Sequence, residues 1–276
     1  MNAFIRKHPV FTYYVLTFVI SWGAILLAVG PGGFLSTTAT SPAFPLVGVA
    51  ALLGPSVAGL LATGLVGGKA GYRDLFSDLR RWRVGWRWYA VALLTAPLAT
   101  LVTLALLSLA TTPMVPGILT ADDKAALLLT GVSTGLLVPV FEEVGWTGFA
   151  TPRLLERHGI VATGILMGLL WGAWHLPLFA GSVAAAGEVP PALFLGTMLF
   201  SWLVPYRVLM VWAYARTRSV LLGMVMHVPI VVSQYVLNPE GISGKPLFLS
   251  LIVYSVALWL LVAAALASPF RPLRTE

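Results

Sequence analysis

Eight apolar stretches, each about 20 residues long and divided by short polar connections, constrain this chain more than any other feature. They run approximately Pro9–Val29, Phe44–Val66, Trp88–Ala110, Ala125–Phe149, Ile160–Ala180, Ala192–Ala213, Ser219–Leu237 and Leu247–Ala267. A helix rises 1.5 Å per residue, so about 20 residues cross a hydrocarbon layer about 30 Å thick. A helix also satisfies its own backbone polar groups, which lipid cannot do. The chain is 58% hydrophobic and 10% charged, with a mean hydropathy of +0.90. Soluble domains carry about 25% charged residues. Too little charge is present to cover a water-facing surface, so lipid must be the solvent. The spans and their connections consume most of the 276 residues and leave no room for a soluble domain of ordinary size. The expected fold is an all-α bundle of eight transmembrane helices, a single polytopic membrane domain over 1–276.

Charge in the connections tests this layout. Fourteen Lys and Arg fall on one side: Arg6 and Lys7, the six basic residues from Lys69 to Arg87, Arg153 and Arg157, Arg216 and Arg218, Arg271 and Arg274. Only Lys124 and Lys245 fall on the other, and Arg207 lies inside the sixth stretch. Basic residues concentrate in cytoplasmic loops, so both termini are expected inside. The net charge of +7 therefore reports topology and anionic lipid rather than nucleic acid. The Arg and Trp content suggests a multi-pass protein of a bacterial plasma membrane. The first apolar run is longer than a signal-peptide core and lacks a small-residue cleavage site, so it reads as a retained helix. The segment Gly71–Tyr89 mixes Arg with Trp82, Trp86 and Trp88, the pairing of a headgroup-level anchor. With no cysteine, disulfides, iron–sulfur clusters and thiolate zinc sites are excluded.

Ionisable groups inside the spans are few. Glu142 and Glu143 are adjacent in the fourth. An acidic side chain at mid-helix costs roughly 2.5–3.5 kcal/mol on insertion scales. Two together need protonation, a partner, a metal or a wet cavity. In a purely packing role, one would pair with an arginine. Consecutive helical residues point about 100° apart, so the two carboxylates are expected to do different jobs. His175 and His227 lie in the fifth and seventh spans. Gly164, Gly168 and Gly172 recur every four residues, a close-approach face that His175 continues into the bundle. Helical rise places Glu142 about 10 Å, His227 about 14 Å and His175 about 18–22 Å from the cytoplasmic ends, which fits a cavity opening to the cytoplasm.

In such a pocket a glutamate beside a histidine can hold and deprotonate a water. The second histidine can donate to a developing oxyanion. Alternatively, His175, His227 and Glu142 form a His₂Glu site for zinc or another divalent metal, with one position open. Both routes deliver water to an amide carbonyl. Walker, dinucleotide and HExxH signatures are absent from the sequence.

The run Glu142-Glu143-Val144-Gly145-Trp146-Thr147 leading to Pro152-Arg153-Leu154, with Trp171 four before His175 and with His227 after Ser219-Val-Leu-Leu-Gly-Met, resembles the CAAX-protease and bacteriocin-processing (CPBP, or Abi) family of intramembrane endopeptidases. The resemblance covers about 127–233. It implies that Glu142 activates water with His175, that His227 stabilises the oxyanion, and that Glu143 is a supporting carboxylate. The substrate would be a membrane-associated peptide or protein. Two positions depart from the family's motifs: Thr147 stands where Arg is usual, and Val231 where Asn is usual. A catalytically weak or inactive relative that binds a membrane partner, in bacteriocin immunity or regulation, is the competing reading. A proton- or ion-coupled transporter is a third, against which no inverted repeat is visible.

Overall fold

The structure, a computed structural model, describes residues 2–110 and 112–268. Arg271 and Arg274, the last two residues of the charge asymmetry, lie outside the described residues. The described residues form helices and connecting turns, with no strand among them. Each apolar stretch lies on a helix: α1 Pro9–Gly33, α2 Phe44–Leu79, α3 Trp86–Ala110, α4 Lys124–Leu155, α5 Ile160–Trp174, α6 Pro191–Thr217, α7 Val220–Val236 and α8 Gly244–Ala267. Six of these (α1, α2, α3, α4, α6 and α8) are long and apolar enough to cross a membrane unaided. A seventh span exists if α5 is joined to Leu176–Ala185, from which it is bent by 53°. α7, at 17 residues, is apolar but shorter. The eight expected spans thus resolve into six full helices, one bent pair and one short helix. The protein is a multi-pass membrane protein, and its outward leucines, such as Leu27 and Leu129, face the lipid.

Small residues decide which helix faces meet. Gly131 and Gly135 lie against Val236 and Val232 of α7, and with Pro139 they form the buried face of α4. Glu142 and Glu143 continue that face one turn on, which turns both carboxylates inward. The expected stripe on α5 packs on α6: Gly164 against Val208, Gly168 against Val204, Gly172 against Phe200. A Cβ on Gly168 would stand 2.6 Å from the Cα of Val204, so only glycine permits this approach. Packing partners run α1–α2–α4–α7–α3–α8–α6–α5. α5 returns to α1 where Trp174 Nε1 donates to Ser21 Oγ at 2.8 Å.

Connections sort to two ends. At one end Ser219 Oγ donates to Arg81 O at 2.6 Å, Tyr214 Oη to Asp78 at 2.9 Å, and Arg218 reaches Asp78 at 3.9 Å. Arg6, Arg153 and Arg157 border a cavity at this same end. At the other, Gly181 meets Thr37, Gly187 meets Gly244, and Gly117 N donates to Leu237 O. The arginine-rich segments therefore share one face of the bundle. The expected anchor segment begins inside α2: Gly68, at φ +55°, turns the chain, and the helix then runs on to Leu79.

Candidate active site

Glu142, Glu143, His175 and His227 come together, and Trp171 is the hub. The Trp171 indole nitrogen donates to Glu142 Oε2 at 2.8 Å, and Trp146 Nε1 donates to the same oxygen at 3.2 Å. The Trp171 ring lies edge-on to both imidazoles, with centroids 5.4 Å from His175 and 5.3 Å from His227. The fourth helix loosens into a π-helical turn over Trp146–Ala150, directly after the glutamates. π-turns mark functional sites often enough to be noted. Here the turn begins at Trp146, whose indole reaches back four residues to Glu142.

Glu143 has different partners, as the 100° offset between neighbouring helical residues requires. Arg207 of α6 grips it with both guanidinium nitrogens, Nη1 to Oε2 at 2.9 Å and Nη2 to Oε1 at 3.2 Å. His227 Nδ1 lies 2.8 Å from Oε1, and Thr147 Oγ1 donates to Oε2. Arg207 is fully buried and stacks over Trp171, 4.2 Å from the ring centroid. A buried guanidinium needs this bidentate carboxylate to offset its desolvation. Sequence reasoning placed Arg207 inside a span but gave it no role. Its signal was there: a lone arginine in an apolar stretch is as costly as a lone glutamate, and each answers the other.

His175 sits at the bend between α5 and Leu176–Ala185, next to Pro177. Its Nδ1 is 2.8 Å from the Trp171 carbonyl oxygen. A carbonyl only accepts, so Nδ1 carries the proton and Nε2 keeps its lone pair in the neutral ring. The ring stacks on Phe179 at 5.0 Å between centroids. His175 is half-buried, while Glu142, Glu143 and His227 are buried.

Among the described residues one carboxylate–imidazole group could hold a metal ion: Glu142, Glu143 and His227, whose ligand atoms lie within 4.8 Å of one another. It differs from the expected His175, His227 and Glu142 set, because Glu143 takes the place of His175. The fit is poor as the side chains stand. Both Glu143 oxygens already hold a guanidinium, and His227 Nδ1 is bonded to Glu143. A dication would compete with Arg207 for the same carboxylate.

Phe179, Trp202 and Ile230 belong to a cavity of about 370 Å³ whose other walls include Ala39, Asn238 and Ile242, at the arginine-poor end. On the opposite side, Tyr13, Trp146 and Phe149 are fully buried.

Fold and site together define a class: polytopic membrane proteins with a buried carboxylate and imidazole cluster at mid-bundle. Within that class, residues 124–232 match the Type II CAAX prenyl endopeptidase Rce1-like family. The chain is also similar to CAAX prenyl protease 2 of Methanococcus maripaludis, 30% identical over 104 residues, which is 37% of this chain. The match spans 38% of that relative's length. The matched stretch, 124–232, agrees closely with the 127–233 over which the family resemblance was read.

Proposed function

We propose that this protein is an intramembrane endopeptidase that hydrolyses a peptide bond of a membrane-associated peptide or protein. The observation that carries the reading is the convergence, through Trp171, of one carboxylate held by indoles and two imidazoles. Glu142 and the free Nε2 of His175 hold a water between them. Glu142 takes one proton as the water oxygen adds to the carbonyl carbon. His227, fixed through Nδ1 by Glu143, presents Nε2 to the tetrahedral oxygen and as imidazolium donates to it. The carbon–nitrogen bond then breaks, and the proton on Glu142 passes to the leaving amine. Glu143 touches no reacting atom in this scheme. It anchors His227 and is itself anchored by Arg207 and Thr147. No metal enters the reading.

Purified protein incubated with a library of membrane peptides should cleave a subset, with and without a chelator. Glu142→Gln should lower that rate by about 10²–10⁴-fold while the variant still folds and inserts. Equal rates for Glu142→Gln and the parent would remove the mechanism. They would favour the reading of a relative that binds a membrane partner without cleaving it.

A further inference from the structure

We propose that the cavity of about 560 Å³ at the arginine-rich end binds the phosphate headgroup of an anionic phospholipid. It lies at the other end of the bundle from Phe179 and Trp202, and none of Glu142, Glu143, His175 and His227 lines it. Four separate segments build it: 8–11 at the start of α1, the part of α2 beyond Gly68, 152–158 at the end of α4, and Arg218 before α7. Gly71, Asp74, Leu75 and Asp78 recur at helical spacing, so the stretch of α2 past its kink forms one wall.

The charges on the walls do not cancel. Asp78 accepts from Tyr214 at 2.9 Å and pairs with Arg81 at 3.4 Å and Arg218 at 3.9 Å. Asp74 meets Arg73 at 3.7 Å. Glu156 stands one turn after Arg153, the neighbour it can balance. Arg6 and Arg157 are left, with no ion pair among the described residues. His8 and His158 line the cavity beside them. Two guanidinium groups and two imidazoles thus reach one concave space from segments far apart in the chain. Loop charge that serves topology alone needs no such convergence. A guanidinium fork matches phosphate oxygens, and basic pockets between helices at a membrane face hold lipid headgroups.

The other walls are apolar, with Val10, Phe11, Val66 and Leu154. A free phosphate gains nothing from them, whereas an amphiphile does. Phe11 is 62% exposed, and Val15 and Val19 follow at four-residue steps, 44% and 64% exposed. An apolar strip therefore leads from the cavity along the outside of α1. An acyl chain laid on it keeps its lipid neighbours while the phosphate reaches the arginines. Gly148, inside the π-helical turn, also borders the cavity. A bound headgroup would brace α1, α2 and that turn together.

Native mass spectrometry of the purified chain in neutral detergent tests this, with phosphatidylglycerol and phosphatidylcholine of the same chain length as probes. Phosphatidylglycerol should bind about 30-fold tighter and raise the unfolding temperature by about 2–4 °C. Arg6→Gln with Arg157→Gln should abolish that preference. Arg83→Gln with Arg87→Gln removes the same charge outside the cavity and should leave the preference within about twofold of the parent. Arg157→Gln alone, with an expected loss of about fivefold, carries the test should the double variant fail to insert. Equal losses from the two pairs would overturn the site in favour of general surface charge. Equal binding of the two lipids by the parent would overturn it as well. Glycerol 3-phosphate bound as tightly as phosphatidylglycerol would assign the cavity to a free phosphate and overturn the lipid. None of these readouts requires cleavage, so they stand or fall apart from the hydrolytic reading.

Discussion

Glu143 holds three partners from three helices, and that makes it the residue on which the site's geometry rests. Removing one member of a buried ion pair leaves the other uncompensated, at a cost of roughly 3–5 kcal/mol. Arg207→Leu should therefore lower the unfolding temperature in detergent and reduce cleavage. Thr147 is four residues after Glu143 and already bonds it. An arginine there could reach the same carboxylate from one turn away. Adding Thr147→Arg to Arg207→Leu should restore much of both properties, whereas Thr147→Arg alone would crowd two guanidinium groups onto one carboxylate and bring no gain. A double variant no better than Arg207→Leu would show that the two positions are not interchangeable. The motif comparison made the gap at Thr147 visible. It did not reveal the arginine that fills it, because the contact joins residues 64 apart in the chain. Val231 is the other departure. It packs half-buried on the apolar core and offers no donor. If a missing oxyanion donor limits the rate, Val231→Asn should raise cleavage by up to about 10²-fold, measured as kcat. No change would place the oxyanion's donors elsewhere.

At the level of helices, the apolar runs were legible because about 20 residues of hydrocarbon-compatible sequence have few other uses. The glycine face of α5 was legible too, since a four-residue spacing of small residues lets two backbones meet. Neither the π-helical turn at Trp146 nor the 53° bend at His175 could be read. Both depend on how neighbours fill space, not on local propensity, and both sit where the functional side chains must be aimed. The α5–α6 contact holds Trp171 and Arg207 in register, the two residues that touch Glu142 and Glu143. Gly168→Ala would push a methyl against the Val204 backbone. Overpacking of this kind costs about 1–3 kcal/mol. The expected result is a lower unfolding temperature and a lower cleavage rate from one substitution more than a turn away from every candidate catalytic side chain. An unchanged melting curve would mean that the two helices can slide apart without penalty.

For the whole molecule the open quantity is parity. An even number of crossings returns the chain to the face on which it began, and two elements put that count at risk: the bent α5 and the short α7. Contacts at their ends settle how each divides the loops. Arg218 and Ser219, before α7, touch Asp78 and Arg81. Leu237, after α7, accepts from Gly117, and Gly244 meets Gly187. α7 therefore separates an arginine-rich end from an arginine-poor one despite its length. The bent pair does the same, with Arg157 before it and Gly181 against Thr37 after it. Among the described residues each connection alternates, and the 12-to-2 distribution of their basic residues follows that alternation, which gives it the force of a topology signal. A reporter active only in the cytoplasm should work when fused after Glu276, and one active only outside should be silent there. The same pair fused after Gly241, in the connection between α7 and α8, should give the reverse. Outward activity after Glu276 would mean that one of the two irregular elements fails to cross. Agreement between the two fusion sites would single out α8 instead, because it alone lies between them.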